Sequence, residues 1–187
     1  MSKNKKTSAP SDSRRKFVKN AALALGGLTI VPRHVLGRGF IAPSDKLNIA
    51  AIGAGGKGAS DIANAWDNGA NNVVALCDVD FARAKGSLDK FPTAKKYADF
   101  RVMLDEMKND IDAVTISTPD HVHGIAAMAA MQLGKHVYVQ KPLTHNIREA
   151  RMLTEAARKY KVVTQMGNQG ASNPGQQQML QWMDKGL

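Results

Sequence analysis

The chain has 187 residues, 43% of them hydrophobic, which suffices for one ordinary core plus an appendage and argues against a wholly disordered polypeptide. Its net charge of +10 is uneven: residues 1 to 38 hold nine Lys and Arg against Asp12 alone, and the remainder carries 17 basic and 15 acidic residues. With no basic-aromatic stripe, a nucleic-acid surface loses most of its support, and the single Cys77 excludes both an internal disulfide and a cysteine zinc cluster.

Taken in chain order, Ser13-Arg14-Arg15-Lys16-Phe17 precedes a moderately apolar run from Ala21 to Val31 and then Pro32. Paired arginines, a short apolar region and a charged start predict a twin-arginine export signal and its spacer over residues 1–42. The run is shorter than the roughly 20 apolar residues of a membrane span. Phe40-Ile41-Ala42 is a poor cleavage site, so both a periplasmic product and a membrane-tethered one with its signal retained are expected outcomes. The twin-arginine route carries proteins already folded, which suits a domain loaded with its cofactor in the cytoplasm.

Lys46 to Ile52 reads as a strand, Gly53-Ala54-Gly55-Gly56-Lys57-Gly58 as a tight turn, and Ser60 to Trp66 as a helix. Gly53, Gly55 and Gly58 fit G-x-G-x-x-G. The first permits the turn, the second allows a diphosphate close to the backbone, and the third lets helix and strand pack closely. Gly56 and Lys57 fall within the same cradle, where free N–H groups and the helix dipole favour anions.

Asn72 to Cys77 predicts a second buried strand ending in Asp78. A carboxylate at that point accepts both hydroxyls of an adenosine ribose and repels a 2′-phosphate, so NAD is favoured over NADP. Asp78 can equally cap a helix over Phe81 to Lys85, a role for which Asp80 competes. Cys77 reads as a small buried residue at a strand end. Thr93 to Tyr97 predicts a short edge strand, and Asp99 starts an amphipathic helix over Phe100 to Met107. Ile111 to Ser117 is a fourth strand, Gly124 to Met131 a helix, His136 to Gln140 a fifth strand, Asn146 onward a helix, and Val162 to Met166 a sixth strand. This alternation predicts an α/β fold, a Rossmann-type doubly wound parallel sheet with right-handed crossovers. Ligands of such sheets bind beyond the carboxyl ends of the strands, where Asp78, Ser117 to His123, Gln140 to Pro142 and Gln165 to Gln169 gather. His121 reads as a loop histidine. Its i, i+2 spacing to His123 is not completed by other ligands, so no metal is expected.

These residues resemble the glucose-fructose oxidoreductase, inositol dehydrogenase and MocA family of nicotinamide-dependent oxidoreductases. The resemblance rests on the glycine turn, Asp78, Ser117-Thr118-Pro119 with His123, and Gln140-Lys141-Pro142, where family members usually have Glu-Lys-Pro; it covers residues 46 to 187. Thr164 to Gln169 and the export signal are most similar to its secreted bacterial branch. The resemblance implies that Lys141 lies near the nicotinamide, hydrogen-bonds the reacting hydroxyl and serves as the catalytic residue. Thr118, Pro119 and His123 would form the loop beside the nicotinamide ribose, His123 as a positioning residue, with Ser117 and Gln140 also binding the cofactor; a proline in such a tight functional turn also predicts a cis Lys141–Pro142 bond. Asn168 and Gln169 either border the substrate or cap the last helix.

The implied activity is hydride transfer between a sugar or cyclitol hydroxyl and NAD. One alternative is a glycoside hydrolase or lyase using transient C3 oxidation with retained NAD; another is a binding-only or inactive module. The family's second α/β domain, which shapes the substrate pocket, has no counterpart here, and the chain reads as the amino-terminal part of a longer enzyme. The expected domains are thus the signal over 1–42, the dinucleotide-binding domain over 45–170, and over 171–187 the start of a connection. Expected partners are a carbohydrate or cyclitol and the export machinery, not nucleic acid, with homo-oligomers compatible through the further domain.

Overall fold

The computed structural model describes residues 45–186. The predicted export signal lies outside the described residues.

Six strands form one parallel sheet in the order β3-β2-β1-β4-β5-β6. They are β1 (Asn48–Ile52), β2 (Asn72–Cys77), β3 (Lys95–Tyr97), β4 (Ala113–Ile116), β5 (His136–Gln140) and β6 (Thr164–Gly167). The helices between and after them are α1 (Lys57–Trp66), α2 (Lys85–Lys90), α3 (Phe100–Glu106), α4 (Asp120–Gln132), α5 (Ile147–Tyr160) and α6 (Pro174–Asp184). From β1 in the middle of the sheet the described residues run outward through β2 and β3, cross back and run outward again through β4, β5 and β6. The strand order therefore reverses between β1 and β4, and a crevice opens there at the carboxyl ends.

Alternating side chains of β1 feed two cores, as period-two geometry requires. Ile49 and Ala51 pack with Ile62, Ala84 and Phe91 on the face covered by α1 and α2. Ala50 and Ile52 pack with Met103, Leu104, Ala127, Met131, Leu153 and Ala156 on the face covered by α3, α4 and α5. Small residues in β1 and α4 let the layers approach closely. Ile62 is fully buried, and removing such a side chain from water contributes about 2 kcal/mol.

Caps fix several helix starts. Asp99 accepts from the Arg101 N–H at the start of α3, Asn146 from the Glu149 N–H at α5, and Asn173 from the Gly175 N–H at α6. Asn173 therefore caps the last helix, and neither Asn168 nor Gln169 does so. Two further expectations need correction. The segment after Asp78 stays in turns until Lys85, because Asp80 accepts from the Arg83 N–H and closes a local turn. And α4 begins at Asp120, just after Pro119, so His121 sits on a helix and not in a loop. Proline is well placed there, having no N–H to lose.

Candidate cofactor site

The glycine turn is built as its spacing requires. Gly53 has φ +83°, and a Cβ on it would lie 2.4 Å from the Ser117 carbonyl oxygen. A Cβ on Gly58 would lie 1.9 Å from the Gly53 oxygen, so the third glycine sets how closely α1 approaches β1. The second glycine has an additional reason for its size: a Cβ on Gly55 would meet Arg83 Cγ at 2.9 Å. Gly56 is the N-cap of α1 and no side chain caps that terminus; the Gly58 N–H donates to the Gly55 oxygen and the Ala59 N–H to the Gly56 oxygen, which leaves the Gly56 and Lys57 N–H groups without a partner among the described residues and facing an anion.

Asp78 stands beside the turn. Its Oδ2 accepts from the Ala54 N–H at 2.8 Å and the Gly55 N–H at 2.9 Å, and its Oδ1 accepts from the Asp80 N–H at 3.0 Å. It is not a helix cap: α2 starts seven residues later, at Lys85. The carboxylate braces the turn while standing at the carboxyl end of β2. Cys77, just before it, is buried, and burial first, then Asp99 and Asp78, push its thiol up to about 12. That thiol stays protonated at neutral pH and is inert as a nucleophile.

A cleft of about 890 Å³ at the strand carboxyl ends brings together Gly53, Gly55, Lys57, Asp78, Ser117, Thr118 and Pro119. It also takes in Val79, Arg83 and Arg101, which the sequence did not single out, together with Asp99, expected as a helix start, and His121, expected as a loop histidine. The Arg101 guanidinium donates to Asp99 and holds that carboxyl below the usual carboxylate range. Arg83 had no signal in the pattern, since it lies in the irregular segment after β2. Val79, 90% exposed, offers an apolar surface next to Asp78. Thr118 Oγ1 is buried and meets no hydrogen-bond partner among the described residues. Partnerless N–H groups at the start of α1, a carboxylate at the carboxyl end of β2 and an apolar rim fit a dinucleotide.

Other predicted residues do not line this cleft. His123 is 1% exposed, with Nδ1 2.6 Å from the Pro142 oxygen and Nε2 2.8 Å from the Thr118 oxygen. Its ring sits between a carbonyl of the β4 loop and one of the β5 loop and, as a neutral imidazole, donates its single N–H to one of them, so it packs where the two loops meet. His121, two residues before it on the helix, is exposed, so the two point apart. Among the described residues no group of three or more His, Cys, Asp or Glu is placed to hold a metal. Lys141 is exposed on the loop after β5, and the Lys141–Pro142 bond is cis. Gln140, at the end of β5, is buried; its Oε1 accepts from the Lys141 N–H at 3.2 Å. Gln169 donates to the Tyr138 hydroxyl at 3.2 Å, while the Asn168 N–H donates to the Met166 oxygen; both residues are exposed beyond β6.

Residues 47–168 match the family model described as "Oxidoreductase family, NAD-binding Rossmann fold". The chain is 31% identical over 116 residues to an inositol 2-dehydrogenase of Salmonella paratyphi B, covering 61% of this chain and 34% of that protein. It is 33% identical over 151 residues to a glycosyl hydrolase family 109 protein of Solibacter usitatus, covering 73% and 34%. Among solved structures, scyllo-inositol dehydrogenase from Lactobacillus casei with bound NAD(H) and scyllo-inositol superposes with a TM-score of 0.66 at 22% identity, over 75% of this chain and 42% of that one. The chain thus spans about a third of the length of the curated relatives it matches.

Proposed function

The chain belongs to the glucose-fructose oxidoreductase, inositol dehydrogenase and MocA family, and from that premise we propose that its NAD-binding domain serves an exported oxidoreductase acting on a sugar or cyclitol hydroxyl. The observation that carries the reading is the Asp78 carboxylate bonded to the glycine turn at the mouth of the switch-point crevice. In this reading the Gly56 and Lys57 N–H groups at the start of α1 hold the diphosphate, with Gly53 to Gly58 leaving room for it. Asp78 keeps one lone-pair site, on Oδ1, for a ribose hydroxyl, and its charge rejects a 2′-phosphate. Ser117, Thr118 and Pro119 border the nicotinamide ribose, and Thr118 Oγ1 there gains the partner it does not find among the described residues. NAD supplies the hydride acceptor when bound. Lys141 presents its ammonium to the substrate hydroxyl, favours the developing alkoxide and takes part in moving its proton. His123 and Gln140 fix the two loops that carry these groups, and Asn168 and Gln169 face the substrate side.

The dehydrogenase reading expects NADH to accumulate one for one with oxidised inositol or sugar when the protein is assayed in its full natural length. The similarity to the glycosyl hydrolase family 109 protein supports a second reading, in which aglycone leaves a nitrophenyl glycoside with no net NADH. Assaying both products in one reaction separates the two, and a full-length protein that bound no NAD would remove both.

Residues 1–42 direct export in this proposal. Changing Arg14 and Arg15 to Lys should abolish export of a reporter fused behind residue 44; undiminished export would show that the paired arginines are not the signal.

A further inference from the structure

Asp61 lies in the second turn of α1 and is 6% exposed, yet the glycine pattern and the strand ends gave it no role. A buried carboxylate needs partners, or it costs several kcal/mol. It has them from three elements. Its Oδ2 accepts from the Ser117 hydroxyl at 2.7 Å, at the end of β4, and from the Gln140 amide at 2.8 Å, at the end of β5. Its Oδ1 pairs with the Lys57 ammonium from the first turn of α1. Lys57 is the charged group facing it; β4 and β5 present only a hydroxyl and an amide.

Gln140 uses its other end to accept from the Lys141 N–H. A continuous chain of bonds therefore runs from the helix that opens the glycine turn, through Asp61 and Gln140, to the backbone of Lys141. We infer that Asp61 is a positioning residue: its buried carboxylate ties the Ser117 and Lys141 loops to the glycine-turn helix and sets the spacing between the diphosphate cradle and Lys141. Position 140 is an amide because its partner is a carboxylate. The catalytic meaning of that spacing rests on the reading of Lys141 given above, whereas the pairing itself does not.

The test is a charge swap in the 187-residue chain, read by calorimetric titration with NAD and by melting temperature. Gln140→Glu places two carboxylates in contact, so NAD binding at pH 8 should weaken by about tenfold or more, and recover toward pH 6 as the pair takes up a proton. Asp61→Asn removes the anion and should also weaken binding, without that pH dependence. The double variant Asp61→Asn with Gln140→Glu restores one carboxylate and one amide, and should return to within about threefold of wild type. If Gln140→Glu binds like wild type at pH 8, or if the double variant is no better than the worse single one, the inference is overturned. Should a single variant fail to fold while the double variant folds and binds, the rescue supports the pairing; failure of the double variant overturns it. Should wild type itself take up no NAD, the cofactor assignment fails, and the melting temperatures decide the pairing by the same rescue.

Discussion

Replacing Asp78 with alanine is expected to weaken NAD binding by about 3 kcal/mol, roughly a hundredfold, because the carboxylate has two jobs at once. Its Oδ2 already accepts two N–H groups of the glycine turn. Losing it strips the ribose of its charge-assisted acceptor and removes the brace that ties Ala54 and Gly55 to the end of β2 and shapes the turn for the diphosphate. Each loss alone is on the order of 1 to 3 kcal/mol. Asp78→Asn should fall between wild type and alanine, since an amide of the same shape turns one NH2 toward donors that need an acceptor. The two variants should also narrow the preference for NAD over NADP, because the repulsion of a 2′-phosphate goes with the charge. Calorimetric titration with both dinucleotides measures both effects. Alanine binding NAD within about twofold of wild type would leave Asp78 only a local brace of the turn, since a lost charged hydrogen bond costs more than that.

The parts of this site that were legible in the sequence are those written as short local patterns. The glycine spacing, the apolar runs of β1, β2, β4 and β5, and the acidic residue closing β2 each reflect one dominant constraint, so the doubly wound sheet follows from them. Element ends were less legible. Phe81 to Lys85 has helical composition, yet Asp80 draws the backbone into a turn before α2 can begin. His121 reads as loop, yet it lies just inside a helix, because a proline before the first turn is also how a helix starts.

The network around Asp61 was not legible, because its members are 56 and 79 residues apart. No window of sequence contains it. The one trace was Gln140 standing where the resembled family usually has Glu, and only the fold shows a carboxylate waiting there. Arg83 escaped for a similar reason: its contact with the glycine turn depends on how an irregular segment folds back.

Gly58→Ala is expected to cause the largest loss of stability of the Gly→Ala changes within this domain's helices. In the middle of a helix alanine ordinarily stabilises by about 1 kcal/mol relative to glycine. Here the new Cβ would lie 1.9 Å from the Gly53 oxygen, 2.8 Å from its carbon and 3.3 Å from Ser117 Cβ. Two of those contacts are with backbone, which no rotamer can relieve, so α1 must move off β1. That movement separates the first-turn N–H groups from the turn and pulls Asp61 from Ser117 and Gln140. Overpacking of this severity costs about 3 kcal/mol or more, against which the helix-propensity gain is small. Gly86→Ala is the matched control: it lies within α2, nothing stands within 4 Å of its Cβ position, and it should stabilise by about 0.5 to 1 kcal/mol. Urea unfolding of the two variants beside wild type gives both signs in one experiment. Equal shifts would mean that the closeness of α1 and β1 is not enforced at Gly58.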